Sequence, residues 1–217
     1  MAAPWKPAPT RGDYDQPPAG NHPAVLVAMV DLGTQISEYQ GKKNKKRMAM
    51  CVWELVSEKD TNFPMDDRNF LVGIDLNISN NEAAKFRIWA AARMNKKVPK
   101  EYQHDFTQEL GKSCLLSVSH NAKGYPKVDG MSAAPRGMTV PPAKTKPFLW
   151  SLGDLPSDGS EPDLPDWLPR LYGKKLADVI AECVELNPEA DEAATAPEPS
   201  EDDGGEPTAM TEDGIPF

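Results

Sequence analysis

The cluster Lys42-Lys43-Asn44-Lys45-Lys46-Arg47 places five cations in six positions, and Lys123 and Lys127 bracket a second polar turn. Cations at that density attract phosphates whatever the base sequence, each neutralised phosphate releasing counterions. Tyr39, Trp53, Tyr125 and Phe70 lie on or near the same segments, and an aromatic face stacks on an unpaired base for about 1–3 kcal/mol. Duplex bases hide their faces, so cations and aromatics together favour single strands. Each group also has a plainer reading. The cluster can be the solvated end of a hairpin. Trp53 can be core, because both faces of its strand are apolar. Phe70 shares a face with Val72, Ile74, Leu76 and Ile78 and reads as core, and Trp89 reads as helix packing.

Catalytic constellations do not assemble. Gly111-Lys112-Ser113 resembles the end of a phosphate-binding loop, but that motif needs glycine at 106, where Phe106 stands, and no strand leads into it. His22, His104 and His120 have no cysteine or carboxylate at metal-ligand spacing and read as surface or loop residues. No Gly-x-Ser-x-Gly occurs, and Asp66-Asp67 beside Arg68 reads as a solvated loop. Cys51, Cys114 and Cys183 are odd in number and far apart, which suits neither a disulfide framework nor a metal knuckle, so they are expected to be reduced and buried. A non-catalytic protein with no metal and no cofactor is expected.

The positioning elements are legible from periodicity. A Val-rich run at 24–32 reads as a strand, 33–47 as a hairpin with a basic tip, and 48–56 as the return strand. Residues 57–69 read as a polar loop. Strict alternation from Phe70 to Ile78 gives a third strand. Ser79 and Glu82 stand at capping-box spacing before an Ala-rich helix reaching Met94, with Phe86, Trp89 or Ala90 inward and Arg93 opposite. Two more strands, 112–118 and 125–131, flank the turn composition Asn121-Ala122-Lys123-Gly124. The order β-β-β-α-β-β predicts a mainly β protein: a five-stranded OB-fold Greek-key barrel with one helix between strands 3 and 4, binding oligonucleotides on strands 2 and 3 and through the loops joining strands 1–2 and 4–5.

Flanking segments complete the division. Residues 1–20 form a Pro-rich arm, 21–135 the nucleic-acid-binding domain, 136–187 a linker and extension, and 188–217 an acidic tail. Within the extension, Phe148-Leu149-Trp150 reads as a short strand and 174–186 as an amphipathic helix, packing back on the barrel or making an oligomer contact. The formal net charge of −9 hides an asymmetry: residues 1–150 carry 21 Lys+Arg against 15 Asp+Glu, and residues 151–217 carry 3 against 18. From Pro188 onward ten acidic residues and no basic one stand among Pro, Gly, Ala, Ser and Thr, a composition that cannot bury enough apolar surface to order itself. No membrane span or signal-peptide core is read, so a cytoplasmic location is expected.

The chain ends Glu212-Asp213-Gly214-Ile215-Pro216-Phe217, apolar residues after an acidic approach. This ending resembles the single-stranded DNA-binding protein family, whose OB-fold is followed by an acidic tail closing on Asp-Asp-x-Ile-Pro-Phe or close variants. Pro17-Pro18-Ala19-Gly20, Val30-Asp31-Leu32-Gly33-Thr34-Gln35 and Leu110-Gly111-Lys112 are similar to bacteriophage-encoded members. The chain departs from bacterial members in its opening strand, its Pro-rich arm and its extra segment at 148–186. The resemblance implies a protein that coats single-stranded DNA in replication, recombination and repair. It also implies that Ile215, Pro216 and Phe217 hook partner proteins while Glu212 and Asp213 guide them electrostatically. The alternative is an adaptor whose terminal Phe carboxylate is read by a partner without any DNA.

Overall fold

The computed structural model describes residues 15–39, 42–63, 67–97, 105–158, 160–171 and 173–188; the side chains of Glu38, Tyr39 and Lys42 lie outside that description. Two long strands, β1 (Gly20–Tyr39) and β2 (Lys42–Lys59), pair as an antiparallel hairpin. With β3 (Asn69–Asn77), β4 (Ser113–His120) and β5 (Pro126–Ser132) they make a sheet of order β3-β2-β1-β4-β5. A short β6 (Phe148–Trp150) runs parallel to β1 at Ala28, Met29 and Val30. The protein is mainly β, and among the described residues there are two short α-helices, α1 (Lys85–Met94) and α2 (Leu176–Ala181). The sheet does not close by strand pairing. β3 and β5 approach without a ladder, and α1 packs against both, so a helix spans the gap where a closed barrel would have hydrogen bonds.

β1 is bulged twice, between Leu26 and Ala28 and between Asp31 and Gly33. Each bulge adds one residue and reverses which side chains face which side. Ala24, Leu26 and Met29 thus join an inner apolar cluster with Phe86, Trp89 and Phe106, while Val25, Val27, Ala28, Val30 and Leu32 join an outer one. On β2, Cys51, Trp53 and Leu55 face inward and Met50, Val52 and Val56 outward. On β3, Phe70, Val72 and Leu76 lie in the inner cluster with Ile74 and Ile78 against it, as the alternation predicts.

The helix starts later than the capping-box spacing suggests. Its N-cap is Ala84, with no side-chain cap; the Ser79 hydroxyl instead accepts from Asn81 N–H (3.1 Å), and Asn81 Oδ1 from Ala83 N–H (2.9 Å). Short polar side chains here bond their own turns rather than the helix. Phe86, Trp89 and Ala90 are buried as expected; Arg93, expected on the opposite face, instead turns inward to pair with the buried Glu109, because it stands four residues after Trp89 and seven after Phe86 on the same helix face.

The outer face is covered by the C-terminal extension. Glu54, fully buried on that face, accepts from Lys144 N–H (2.9 Å), Thr145 N–H (2.8 Å) and Asn69 Nδ2 (2.7 Å). Burial pushes its carboxyl up, but these donors outweigh it and hold the group below the usual range. Residues 135–147, expected as a linker, are thereby fixed to β2. Residues 164–171 then lie over β2 and β3, and Leu176, Val179 and Ile180 of α2 pack back on the sheet in the outer cluster. Among the described residues, no helix is long and apolar enough to cross a membrane.

Candidate nucleic-acid interface

β3 leaves β2 at the Met48–Asn77 pair, with one further bond from Ile78 N–H to Arg47 O (2.8 Å), and β6 leaves β1 at Val30. From Thr34 and Arg47 outward the hairpin is a two-stranded ribbon, pairing Gln35 with Lys46, Ile36 with Lys45, Ser37 with Asn44, Glu38 with Lys43 and Tyr39 with Lys42. At about 3.4 Å per residue it reaches roughly 17 Å past its foot. The basic cluster expected at a loop tip is therefore strand, and Lys43, Lys45 and Lys46 are exposed along it. The side chains of Tyr39 and Lys42 lie outside the described residues.

Arg47 behaves differently from the lysines. Its Nε donates to Asp31 Oδ1 (3.0 Å), its Nη2 to Asp31 Oδ2, and its Nη1 to Glu185 Oε1 (2.9 Å). Its hydrogen bonds to the Asp31 carboxylate raise its pKa further. Glu185 also accepts from the Thr34 N–H and hydroxyl, both at 2.8 Å. Partial burial opposes ionisation of Glu185, but the Thr34 donors bring its carboxyl down to about 2. Beside Arg47 lies a hollow of about 380 Å³ floored by Met29, Ala49, Ile78, Phe106 and Trp150 and edged by Asp31, Asn80, Asp105 and Thr107.

The second turn is built by Asn121, whose Oδ1 accepts from Lys123 N–H (2.9 Å) and Tyr125 N–H (3.1 Å). It presents an exposed Lys123 and a Tyr125 that is 51% exposed. Lys127 is also exposed but is paired with Asp129 at 2.9 Å.

Of the two readings open for Trp53 and Phe70, the structure takes core for both and removes them from the stacking set. Trp53 is fully buried, packed edge-to-face on Trp89 with ring centres 6.3 Å apart, and Phe70 lies in the same inner cluster. Neither offers a face to a base, because α1 and the neighbouring strands close over them. His22, expected as a surface or loop residue, is instead buried, its Nε2 bonded to Pro18 O (2.8 Å) and its Nδ1 to Glu58 (3.2 Å). With the His120 bond to Pro17 O (2.8 Å), it ties residues 15–18 to the sheet. Glu212, Asp213, Ile215, Pro216, Phe217 and His104 lie outside the described residues.

Two half-buried aromatics border a second groove, Trp167 packed on Phe148 and Phe63 beneath Arg68. A groove of about 950 Å³ runs between Pro126, the start of β3 and residues 166–170, bordered by Phe63 and Trp167. The Arg68 guanidinium lies 3.1 Å above the Phe63 ring and donates to Asp60 (3.2 Å). A lone aromatic in a polar loop (Phe63) and another in a Pro-rich stretch (Trp167) were the available sequence signals. Cys51, Cys114 and Cys183 are buried; burial pushes the Cys114 thiol up to about 12 and raises Cys51 and Cys183 as well. Asp67 is exposed and ion-paired with Lys59 (3.0 Å) and Lys144 (3.1 Å). Among the described residues no three His, Cys, Asp or Glu gather to hold a metal ion.

Compared with known families and curated proteins, the chain matches no family model and no curated protein.

Proposed function

We propose that this protein is a sequence-independent single-stranded DNA-binding protein built on an OB-fold, coating DNA in replication, recombination or repair. The observation that carries the reading is the ribbon: Lys43, Lys45 and Lys46 are exposed on β2 where it and β1 run on past the rest of the sheet. A second exposed pair, Lys123 and Tyr125, stands on the turn between β4 and β5. The strand order β3-β2-β1-β4-β5 with a helix before β4 supports an OB-fold, a partly open five-stranded barrel whose loops 1–2 and 4–5 hold oligonucleotides. Lys43, Lys45 and Lys46 are exposed along the first of these, and Lys123 with Tyr125 at the second. Because the extension covers the outer face of β1, β2 and β3, the proposed path runs over the ribbon and the 4–5 turn, past the groove at Phe63 and Trp167. Recruitment of partner proteins through Glu212, Asp213, Ile215, Pro216 and Phe217 belongs to the same proposal and is supported by the sequence resemblance.

Fluorescence anisotropy of a labelled poly-dT oligonucleotide and its duplex form, titrated at two salt concentrations, tests the reading. Tight binding to the single strand that weakens steeply with salt is the expected result. Changing Lys42, Lys43, Lys45 and Lys46 together to Glu should abolish it. Preference for the duplex would instead make the ribbon a groove reader, and absence of binding at low salt would overturn the proposal. The second reading, an adaptor without DNA, is favoured by one observation: the sheet face that OB-folds use for oligonucleotides is filled by residues 164–171.

A further inference from the structure

Glu185 is an internal anion held in a set of donors suited to an external one. Its two carboxylate oxygens receive a backbone N–H and a hydroxyl from Thr34, both at 2.8 Å, and the Arg47 guanidinium at 2.9 Å. A main-chain N–H, a hydroxyl and a guanidinium converging on two oxygens are the donors that proteins use on phosphate oxygens. Thr34 and Arg47 are paired across the foot of the ribbon, and the next pair contributes the exposed Lys46. Asp31 holds the other edge of the guanidinium, so its orientation does not depend on Glu185.

The cradle is reachable and its occupant is removable. The Arg47 and Glu185 side chains are 44% and 33% exposed, so a phosphate can approach from solvent without being buried. Glu185 stands at the end of the extension, held by its own contacts, by Val184 N–H to Thr34 O (3.0 Å), and by Cys183 against Gly33. The apolar anchors of the extension, Leu176, Val179 and Ile180, lie further back in the outer cluster. Lifting residues 183–187 therefore breaks a few polar contacts and one small apolar one, whereas lifting the whole extension would open the outer cluster.

Resting on the function proposed above, we infer that the Thr34–Arg47 cradle is a phosphodiester-binding subsite of the single-strand path, occupied by Glu185 in the free protein and vacated when DNA arrives. One anion replaces another beside Arg47, so the charge balance with Asp31 is kept. The hollow bordering Arg47, with an apolar floor of Met29, Ala49, Ile78 and Phe106, offers a surface to the attached unpaired base. The linkage is reciprocal: whatever Glu185 costs DNA in affinity, DNA costs Glu185 in occupancy.

Two measurements on the full chain test this. Anisotropy with labelled poly-dT compares the wild type with Glu185→Gln, which keeps the shape and loses the charge; the variant should bind about five-fold or more tightly at low salt. In the unmutated protein, alkylation of Cys183, followed by peptide mapping, should accelerate on adding saturating poly-dT, because lifting residues 183–187 exposes a thiol that is buried against Gly33. Cys51 and Cys114 serve as internal controls that stay protected. Equal affinity of wild type and variant, with Cys183 indifferent to poly-dT, overturns the inference while leaving single-strand binding intact. Inorganic phosphate accelerating Cys183 labelling as well as poly-dT would assign the cradle to free phosphate and overturn the DNA assignment. If neither protein binds poly-dT, the proposed function falls and the inference falls with it.

Discussion

Gly73 on β3 and Pro169 in the extension meet so closely that a Cβ on Gly73 would stand 2.7 Å from Pro169 Cγ and 2.5 Å from Met50 Cε. Proline is rigid, so the close approach fixes residues 164–171 against the sheet only while position 73 has no side chain. Gly73→Val should push this segment off β2 and β3 and lower the urea midpoint, by an overpacking cost of about 1–3 kcal/mol. Faster proteolysis within residues 155–175 of the variant would report the same displacement; unchanged stability would show that the segment yields freely.

Glu54 should make stability pH-dependent. Its folded carboxyl is held below the usual range, so its contribution is present above the unfolded value of about 4.3 and is lost as pH falls through the folded value. Glu54→Gln should weaken the fold at pH 7 by about 1–3 kcal/mol, since three donors lose a charged acceptor. Its urea midpoint should then fall less steeply than the wild type's below about pH 4.3. Parallel pH curves for the two proteins would contradict this.

The Arg93–Glu109 pair is more sensitive to losing one member than both. Glu109 is 2% exposed, and removing its guanidinium leaves a charge in an apolar setting, so Arg93→Met should cost about 3–5 kcal/mol. The double variant Arg93→Met with Glu109→Leu should recover much of that loss in thermal denaturation. A double variant less stable than the single one would contradict this account.

Tyr125 and Trp53 should separate binding from folding. Tyr125→Ala should weaken poly-dT binding by about 1–3 kcal/mol with no change in thermal midpoint. Trp53→Phe should lower the midpoint and leave affinity alone. The opposite pattern would place the bases at β2 rather than at the 4–5 turn.

The strand from 48 to 56 shows where sequence reading stopped. Its two apolar faces left Trp53 open between core and ligand, because alternation identifies a solvated face and here neither face is solvated: one meets the inner cluster, the other the extension. β3, whose outward positions include Asp75 and Asn77, was legible residue by residue. The lysine run reads as a loop because charge and turns correlate, yet a strand whose lysines project into solvent carries them as easily as a loop does. Glu185 and Thr34 are 151 residues apart, and no local pattern announces such a contact. The bulges of β1 were hidden by an all-apolar run in which reversing the alternation changes nothing visible.

The ribbon has a consequence for solubility. Past Gln35 and Lys46, among the described residues, each of its strands pairs as a strand only with the other, so its margins adjoin no further strand. Such margins template aggregation unless something repels the newcomer, and lysine is a common guard. Lys43, Lys45 and Lys46, exposed along the ribbon, stand where such a guard acts. Neutralising them should turn a dispersed protein into one that self-associates through its ribbons as concentration rises.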